Sequence, residues 1–215
     1  GIAGTGDVVI VDHSGDNNLV SFRFRFASLK MSASEVAFDA AGHRFNAGSF
    51  IIPAANRAAL EPVLRELGLS AWAVSSVPSV PSHELVTPRI GYIHSWSSTQ
   101  DEGWVRAAFD HYGVPYNYFG ENLAKDGNLR ATYDVIVYPH GGGGRGGGGF
   151  GGATVTTNKV PFKKTAEFPS LGYPDSTDDV GGGLGPDGLK ALYQFVQQGG
   201  TLITEGSTSN MMVTN

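Results

Sequence analysis

Short continuous runs of apolar residues recur along the chain and predict buried strands. Val8–Val11 is one such run, and Val135–Tyr138, within the sequence YDVIVYPH, is another. Runs of β-branched and aromatic residues are typical of strands that are covered on both faces, as in a parallel sheet. Pro139 then ends the second run, because proline cannot donate to a ladder. Four further strands are predicted at Ala71–Val74, 89–93, 114–118 and Thr201–Thr204.

Apolar residues spaced three and four apart predict amphipathic helices between these strands. Residues 60–67 carry such a stripe, although Pro62 requires a late start or a bend. A second stripe follows Gly-Pro-Asp at 185–187, where proline suits the first helical turn. Thr99 and Glu102 have the spacing of a capping box. Residues 17–30 fit both a helical stripe and strand alternation, and we favour the helix.

The order of these elements predicts an α/β protein with a mostly parallel, doubly wound sheet. Residues 1–76 form a smaller N-terminal α/β part, with a hairpin around 40–43. Residues 77–88 are rich in proline and serine and are predicted to be a linker. Residues 89–215 form the larger α/β domain. The lack of an initial Met and the abrupt end at Asn215 suggest a fragment or a processed piece of a longer chain, with the larger domain truncated at its C-terminus.

Charge and composition narrow the classes of partner. The net charge of the 215 residues is −5 and the pI is about 5.6, which argues against nucleic acid and anionic membranes as partners. No run approaches the 18 apolar residues of a membrane span. Cysteine is absent, which excludes disulfides, thiolate zinc sites and a cysteine nucleophile within these residues.

A glycine-rich segment follows the strand Val135–Tyr138. His140 comes directly after Pro139, and ten of the twelve residues 141–152 are glycine. Ligands bind at the carboxyl ends of strands in open α/β sheets, so His140 and Gly141 are candidate ligand-binding residues. A phosphate loop would end in Gly-Lys-Ser/Thr, which is absent here. A flexible, low-complexity surface loop is the alternative for this segment.

Ser207 follows the last predicted strand and is a candidate nucleophile. His94 and His140 each follow a strand, so either histidine could meet Ser207 at one sheet edge. The hydrolase pattern G-x-S-x-G is not met, because Gly206 is directly next to the serine. A polar turn is the alternative. No H-E-x-x-H motif is present, and we expect no metal site within the chain.

Several short motifs follow one another in an order that resembles a known region. They are GSFIIP at 48–53, RIGYIHSW at 89–96, DEGW at 101–104, YDVI at 133–136 and GGTL at 199–202. Over about residues 7–210, the succession resembles the region after the catalytic domain in large bacterial zinc carboxypeptidase-like proteins of the carboxypeptidase A type. The specificity lies in the order and spacing of the motifs.

The resemblance implies a fold similar to class I glutamine amidotransferase-like domains, which are flavodoxin-like. Those domains place a nucleophilic cysteine at about the position of Ser207, so amidotransferase chemistry is not expected here. The zinc ligands of the family, an H-x-x-E and a distant histidine, match nothing in this chain. The resemblance therefore implies a non-catalytic accessory domain of a secreted or periplasmic zinc carboxypeptidase-like protein. Zinc and proteolysis would belong to the peptidase domain, which is the expected partner, and no cofactor is expected in this chain.

Two other functions stay open. The first is a serine hydrolase that uses Ser207 with His140 or His94. The second is a small-ligand or carbohydrate-binding module that uses Trp96, Trp104 and tyrosines, although we expect Trp104 to face the core. The candidate ligand-binding residues at the strand ends are His94, Trp96, His140, Gly141 and Ser207.

Overall fold

The computed structural model describes residues 1–96, 99–139, 159–173, 175–181 and 183–210. The chain divides into two compact units, one of residues 1–87 with 111–114 and one of residues 88–110 with 115–215. Each unit has its own sheet and its own apolar core. The protein is therefore a mixed α/β structure, as the sequence predicts.

The first unit contains a six-stranded mixed sheet. Its strands are β1 (Ile2–Gly4), β2 (Val8–Val11), β3 (Ser32–Ser34), β6 (Phe50–Ile52), β7 (Ala71–Val74) and β8 (Ser82–Glu84), in the order β1-β7-β2-β6-β3-β8. β1 runs parallel to β7, and the other pairs are antiparallel. β8 lies inside the segment 77–88, so part of the predicted linker is a strand paired with β3.

Strand β2 shows what an apolar run does and does not determine. All four of its residues are buried, as predicted, yet it is antiparallel to both neighbours. Val9 and Val11 pack in the core with Leu19 and Phe22 of helix α1 (Asn18–Arg25). Burial on both faces produces the apolar run whatever the strand direction, so the run alone could not distinguish a parallel from an antiparallel sheet.

Hairpin β4 (Phe38–Ala40) and β5 (His43–Phe45) confirms the predicted hairpin. Its two turn residues both have positive φ, 51° at Ala41 and 72° at Gly42, as a type I′ turn requires. The His43 ring stacks on Trp72 of β7 at 3.8 Å between centroids. The hairpin thereby covers the sheet around Trp72.

Helix α2 (Arg57–Glu66) accommodates Pro62 in its interior and buries Leu60 and Leu64. Asn56 caps it, with its side-chain oxygen accepting from the Ala59 amide at 3.3 Å. Gly68 follows the helix with a φ of 68°, which is the left-handed conformation that often ends a helix. The predicted helical stripe is thus confirmed, with the proline tolerated inside it.

The second unit contains a four-stranded parallel sheet. Its strands are β9 (Ile90–His94), β10 (Asn117–Gly120), β11 (Val135–Tyr138) and β12 (Thr201–Thr204), in the order β10-β9-β11-β12. Its helices are α3 (Gln100–Tyr112), α4 (Glu121–Ala124), α5 (Leu129–Thr132) and α6 (Gly185–Gln197), and a 3-10 helix spans Gly206–Asn210. Ile93, Phe119 and Ile136 pack with Leu192 and Phe195 of α6.

One strand of this unit differs in position from the sequence prediction. The strand expected at 114–118 is β10 at 117–120, and two short helices, α4 and α5, follow it. Part of the segment between β11 and α6 returns to the strand ends, where Phe162 and Thr177 pair through two backbone hydrogen bonds of 2.9 and 3.0 Å.

Across the described residues, none of the helices has the length and apolar content that crossing a membrane demands.

Candidate functional site

His94 ends β9 and is the centre of a polar cluster at the carboxyl ends of the parallel strands. It is 4% exposed. Its Nε2 lies 3.0 Å from Oδ2 of Asp175, and its Nδ1 lies 3.1 Å from the carbonyl oxygen of Ser95. Both partners are hydrogen-bond acceptors, so both contacts are satisfied at once when both ring nitrogens carry hydrogen.

Asp175 joins two strands of the sheet through one carboxylate. Besides contacting His94 on β9, its Oδ2 accepts from the Gly120 amide at the end of β10 at 2.7 Å. Its Oδ1 accepts from the Ser176 amide at 2.7 Å. Sequence reasoning missed Asp175, because it lies 81 residues after His94, in a segment without regular secondary structure.

Gly120 allows Trp96 and Asp175 to approach the end of β10. A Cβ atom there would lie 2.8 Å from Trp96 Cζ2 and 2.4 Å from Asn122 Oδ1. Trp96 is half-buried, and its indole nitrogen donates to Asn122 Oδ1 at 3.0 Å. The ring lies edge-on to His94, with 4.7 Å between centroids, so the structure brings these two predicted residues together.

Glu102, on the first turn of α3, is 2% exposed and points into the cluster. Its Oε1 accepts from the Tyr118 hydroxyl at 2.5 Å, and the Ser95 amide also donates to its carboxylate. Burial raises the pKa of Glu102, because desolvation outweighs these hydrogen bonds. The sequence predicted that Glu102 would cap the start of α3. Its observed partners are instead Tyr118 and Ser95 in the polar cluster.

Tyr118 lies between a cation and the imidazole. The guanidinium carbon of Arg106 is 3.9 Å from the centre of its ring, and the His94 ring stacks at 4.3 Å. Burial and the neighbouring Glu102 raise the pKa of the Tyr118 hydroxyl, so it is a hydrogen-bond donor at neutral pH. Tyr118 therefore contacts both residues, stacking on the His94 ring and donating to the Glu102 carboxylate.

A second carboxyl, that of the half-buried Glu121, follows β10 and accepts from the hydroxyl of Tyr138 on β11. Burial raises the pKa of both groups. Ligand-binding residues are expected at the carboxyl ends of parallel strands, so Glu121 would have been a candidate if β10 had been predicted at its observed position. Its pairing with Tyr138 requires the two strands to lie on either side of β9, which the sequence does not specify.

Ser207 lies exposed on the 3-10 helix after β12. The neighbouring Thr208 holds this turn, because its hydroxyl oxygen lies 2.8 Å from the carbonyl oxygens of both Tyr138 and Glu205 and can donate to either. His140 and Gly141 lie outside the described residues, so a pair between Ser207 and His140 stays a prediction. A pair with His94 would require that ring to exchange its bond to Ser95 or Asp175.

Trp104 is 72% exposed, so the expectation that it faces the core is wrong. Helix α3 turns Glu102 inward instead, and a residue two positions further along a helix points to the opposite side. Trp104 and Trp96 therefore differ in environment, since Trp96 is packed against His94 and Phe162.

The described residues contain no group of three or more histidine, aspartate or glutamate side chains placed to hold a metal ion. Each of the three carboxylates in the cluster has a hydrogen-bond partner: Asp175 contacts His94, Glu102 contacts Tyr118, and Glu121 contacts Tyr138. Satisfied buried networks of this kind hold their members in fixed positions.

Comparisons of this chain with protein-family models, with curated proteins and with solved structures found no match.

Proposed function

We propose that this chain is an accessory α/β domain, without catalysis of its own, from a zinc carboxypeptidase-like protein of the carboxypeptidase A type. The order and spacing of the short motifs in the sequence support the assignment to this family. The strand order β10-β9-β11-β12 supports a flavodoxin-like, amidotransferase-like second unit, because it is the order 2-1-3-4 of doubly wound sheets of that type.

The hydrogen bonds of His94 are the observation that carries the non-catalytic part of the proposal. A general base must be within hydrogen-bond reach of the proton that it removes. Both ring nitrogens of His94 contact other acceptors, Ser95 and Asp175. Glu102 and Glu121 are likewise bonded to tyrosine hydroxyls. These groups are arranged to fix the strand ends rather than to activate a nucleophile.

In this proposal the work of the domain is to support the peptidase domain or to bind a ligand at the strand ends. The peptidase domain is the partner and holds the zinc, and the whole protein is secreted or periplasmic. The complete coding region tests this assignment. We expect an H-x-x-E motif and a distant histidine in a domain encoded ahead of this chain, and a reading frame without them would refute the family.

Activity assays test the non-catalytic part. The purified chain is incubated with a panel of peptides and esters, with and without zinc, beside Ser207→Ala. We expect no turnover under any condition. Turnover that Ser207→Ala abolishes would establish the serine hydrolase instead. Turnover that depends on zinc would require a metal site within this chain.

Physical association tests the partner. The peptidase domain and this chain, expressed separately and mixed, should co-elute in size-exclusion chromatography if they pack closely. Separate elution of two stable, monodisperse monomers would contradict close packing, whatever the activity assays show.

The serine hydrolase remains a second candidate because Ser207 is exposed after β12, at the edge where the other strands end. Its geometry would require a histidine within about 3 Å of the serine hydroxyl. Labelling with a phosphonate ester probe tests this directly. Covalent modification of Ser207 would support the hydrolase, and its absence would support the accessory domain.

The exposed ring of Trp104 favours a third candidate, a small-ligand or carbohydrate-binding module. Tryptophan fluorescence during titration with oligosaccharides tests it. A saturable change that is lost in Trp104→Phe but kept in Trp96→Phe would support sugar binding on α3. A signal carried by Trp96 would place the ligand at the strand ends.

A further inference from the structure

Strand β10 has an open edge within the part of the chain that the structure describes, where it is the first strand of its sheet and pairs with β9 alone. At its end, the Gly120 amide donates to the Asp175 side chain and not to a strand. Backbone groups of alternate residues on a strand point to the same side. The amide and carbonyl groups of Tyr118 therefore point to the same open edge as those of Gly120.

A cavity of about 320 Å³ lies beside this edge. Buried Phe119, Leu129 and Tyr133 contribute to its lining, and Leu123, 40% exposed, stands at its border. The Phe119 and Tyr133 rings stack at 5.3 Å and nearly parallel, which gives the cavity a fixed aromatic wall. Such a lining suits an apolar side chain.

Asp175 adds a negative charge at the end of the same cavity. Its Oδ2 accepts from His94 and Gly120, and its Oδ1 accepts from Ser176. A carboxylate has about four acceptor positions, so one remains on Oδ1. A cationic group placed there would make a charge-assisted hydrogen bond.

We propose that β10 binds an extended peptide by strand addition. The peptide backbone pairs with the amide and carbonyl groups of Tyr118, an apolar side chain enters the cavity, and a lysine or N-terminal ammonium bonds to Asp175. Backbone pairing supplies affinity in this mode of recognition, and the pockets for side chains supply specificity. The proposal goes beyond the accessory role and does not depend on the presence of a peptidase domain.

A second copy of this chain fits the edge less well than a foreign peptide. Self-pairing would place one β10, Asn117–Gly120, against another, and its sequence NYFG contains no basic residue. No cation of β10 itself would then reach the remaining acceptor position on Oδ1 of Asp175. The Asp175 carboxylate at the end of β10 therefore favours a peptide that contains a cationic group.

The test uses an acetylated hexapeptide of alternating threonine and leucine with one lysine, added to the full chain labelled with ¹⁵N. We expect saturable shifts of the Tyr118 and Gly120 amide resonances, and slower hydrogen exchange at the Tyr118 amide. A peptide with the same side chains but N-methylated backbone amides should not bind. Equal binding of the methylated peptide, or unchanged exchange at Tyr118, would overturn strand addition.

Two variants test the side-chain contacts. Thr132→Trp, at the cavity wall, should weaken binding of the leucine peptide but not of an alanine counterpart. Asp175→Asn should reduce the preference for lysine over norleucine in the peptide by about tenfold, the value of one charged hydrogen bond. Asp178→Asn, in the same segment, is the control and should leave the preference unchanged. Concentration-dependent dimers without peptide, lost in Thr132→Trp, would show that a second copy is the occupant.

Discussion

Asp175 and His94 are 81 residues apart in the chain, and their side chains meet with 3.0 Å between Oδ2 and Nε2. The same oxygen accepts from the Gly120 amide. One carboxylate therefore joins the segment before α6 to the ends of β9 and β10. This contact makes the strand ends a structural unit, and it is the basis of the first two predictions.

Asp175→Ala should lower the free energy of unfolding by about 2 kcal/mol, because it leaves the buried His94 ring without its charged partner. Urea denaturation measures the loss. Asp178→Ala is the matched control, because Asp178 contacts Lys163 in an exposed ion pair and should change stability little. Equal effects of the two substitutions would show that the contact of Asp175 with His94 contributes no more than a surface pair.

Gly120→Ala should destabilise the second unit by about 1–3 kcal/mol through overpacking. The added Cβ would lie 2.8 Å from Trp96 Cζ2, so the indole must move and its fluorescence should shift to longer wavelength. Gly103→Ala, in α3, has no atom within 4 Å of its added Cβ and should be neutral or stabilising. A Gly120→Ala protein as stable as Gly103→Ala would contradict the packing at the end of β10.

Glu102→Gln should flatten the dependence of stability on pH. The pKa of Glu102 is raised in the folded state, so its contribution is complete below the ordinary pKa of about 4.3 and is lost as pH rises through the folded pKa. The glutamine does not ionise and keeps an acceptor for Tyr118. The unfolding free energy of the wild type should therefore fall relative to that of the variant as pH rises.

Urea titrations at about pH 4 and about pH 8 measure this difference, on either side of the ordinary glutamate pKa. Glu167→Gln, on the exposed segment before α6, is the control and should follow the wild type at both values. A wild type that gains stability over Glu102→Gln with rising pH would contradict a raised pKa.

Asp134→Asn should give the opposite dependence. Both side-chain contacts of Arg89 with Asp134 are 2.9 Å long, and Arg130 adds one of 2.7 Å, so these guanidinium groups hold the pKa of Asp134 well below its ordinary value. That contribution is present above the ordinary pKa of about 3.9 and is lost as pH falls through the folded pKa. Acid titration of both proteins should show the advantage of the wild type disappearing below about pH 4, and a constant difference would contradict the ion pair.

Much of the secondary structure was predictable because its signals are local. The apolar runs gave β2, β7, β11 and β12, and the Gly-Pro-Asp start gave α6. Strand β10 begins three residues and ends two residues later than predicted, because Val114 and Tyr116 drew the prediction toward the earlier residues. Packing of Phe119 in the core decided the observed position, and tertiary contacts of this kind outweigh local preference.

The candidate site was predictable only in part. His94 and Trp96 follow a predicted strand, and the structure places their rings 4.7 Å apart. Asp175 was not identified, and Glu102 and Tyr118 were assigned only to a capping box and a strand, because nothing in their local sequence indicates a site. Their importance comes from burial and from partners that are distant in the chain.

By itself, the sequence determined the position of the apolar strands and of the longer amphipathic helices, because hydrophobic periodicity and turn residues act over a few neighbours. It also determined the absence of thiol chemistry. Only the tertiary structure decided that β2 is antiparallel to its neighbours and that Asp175 meets His94. Strand direction and buried hydrogen bonds depend on which segments pack together, and packing is a property of the whole chain rather than of any short stretch of it.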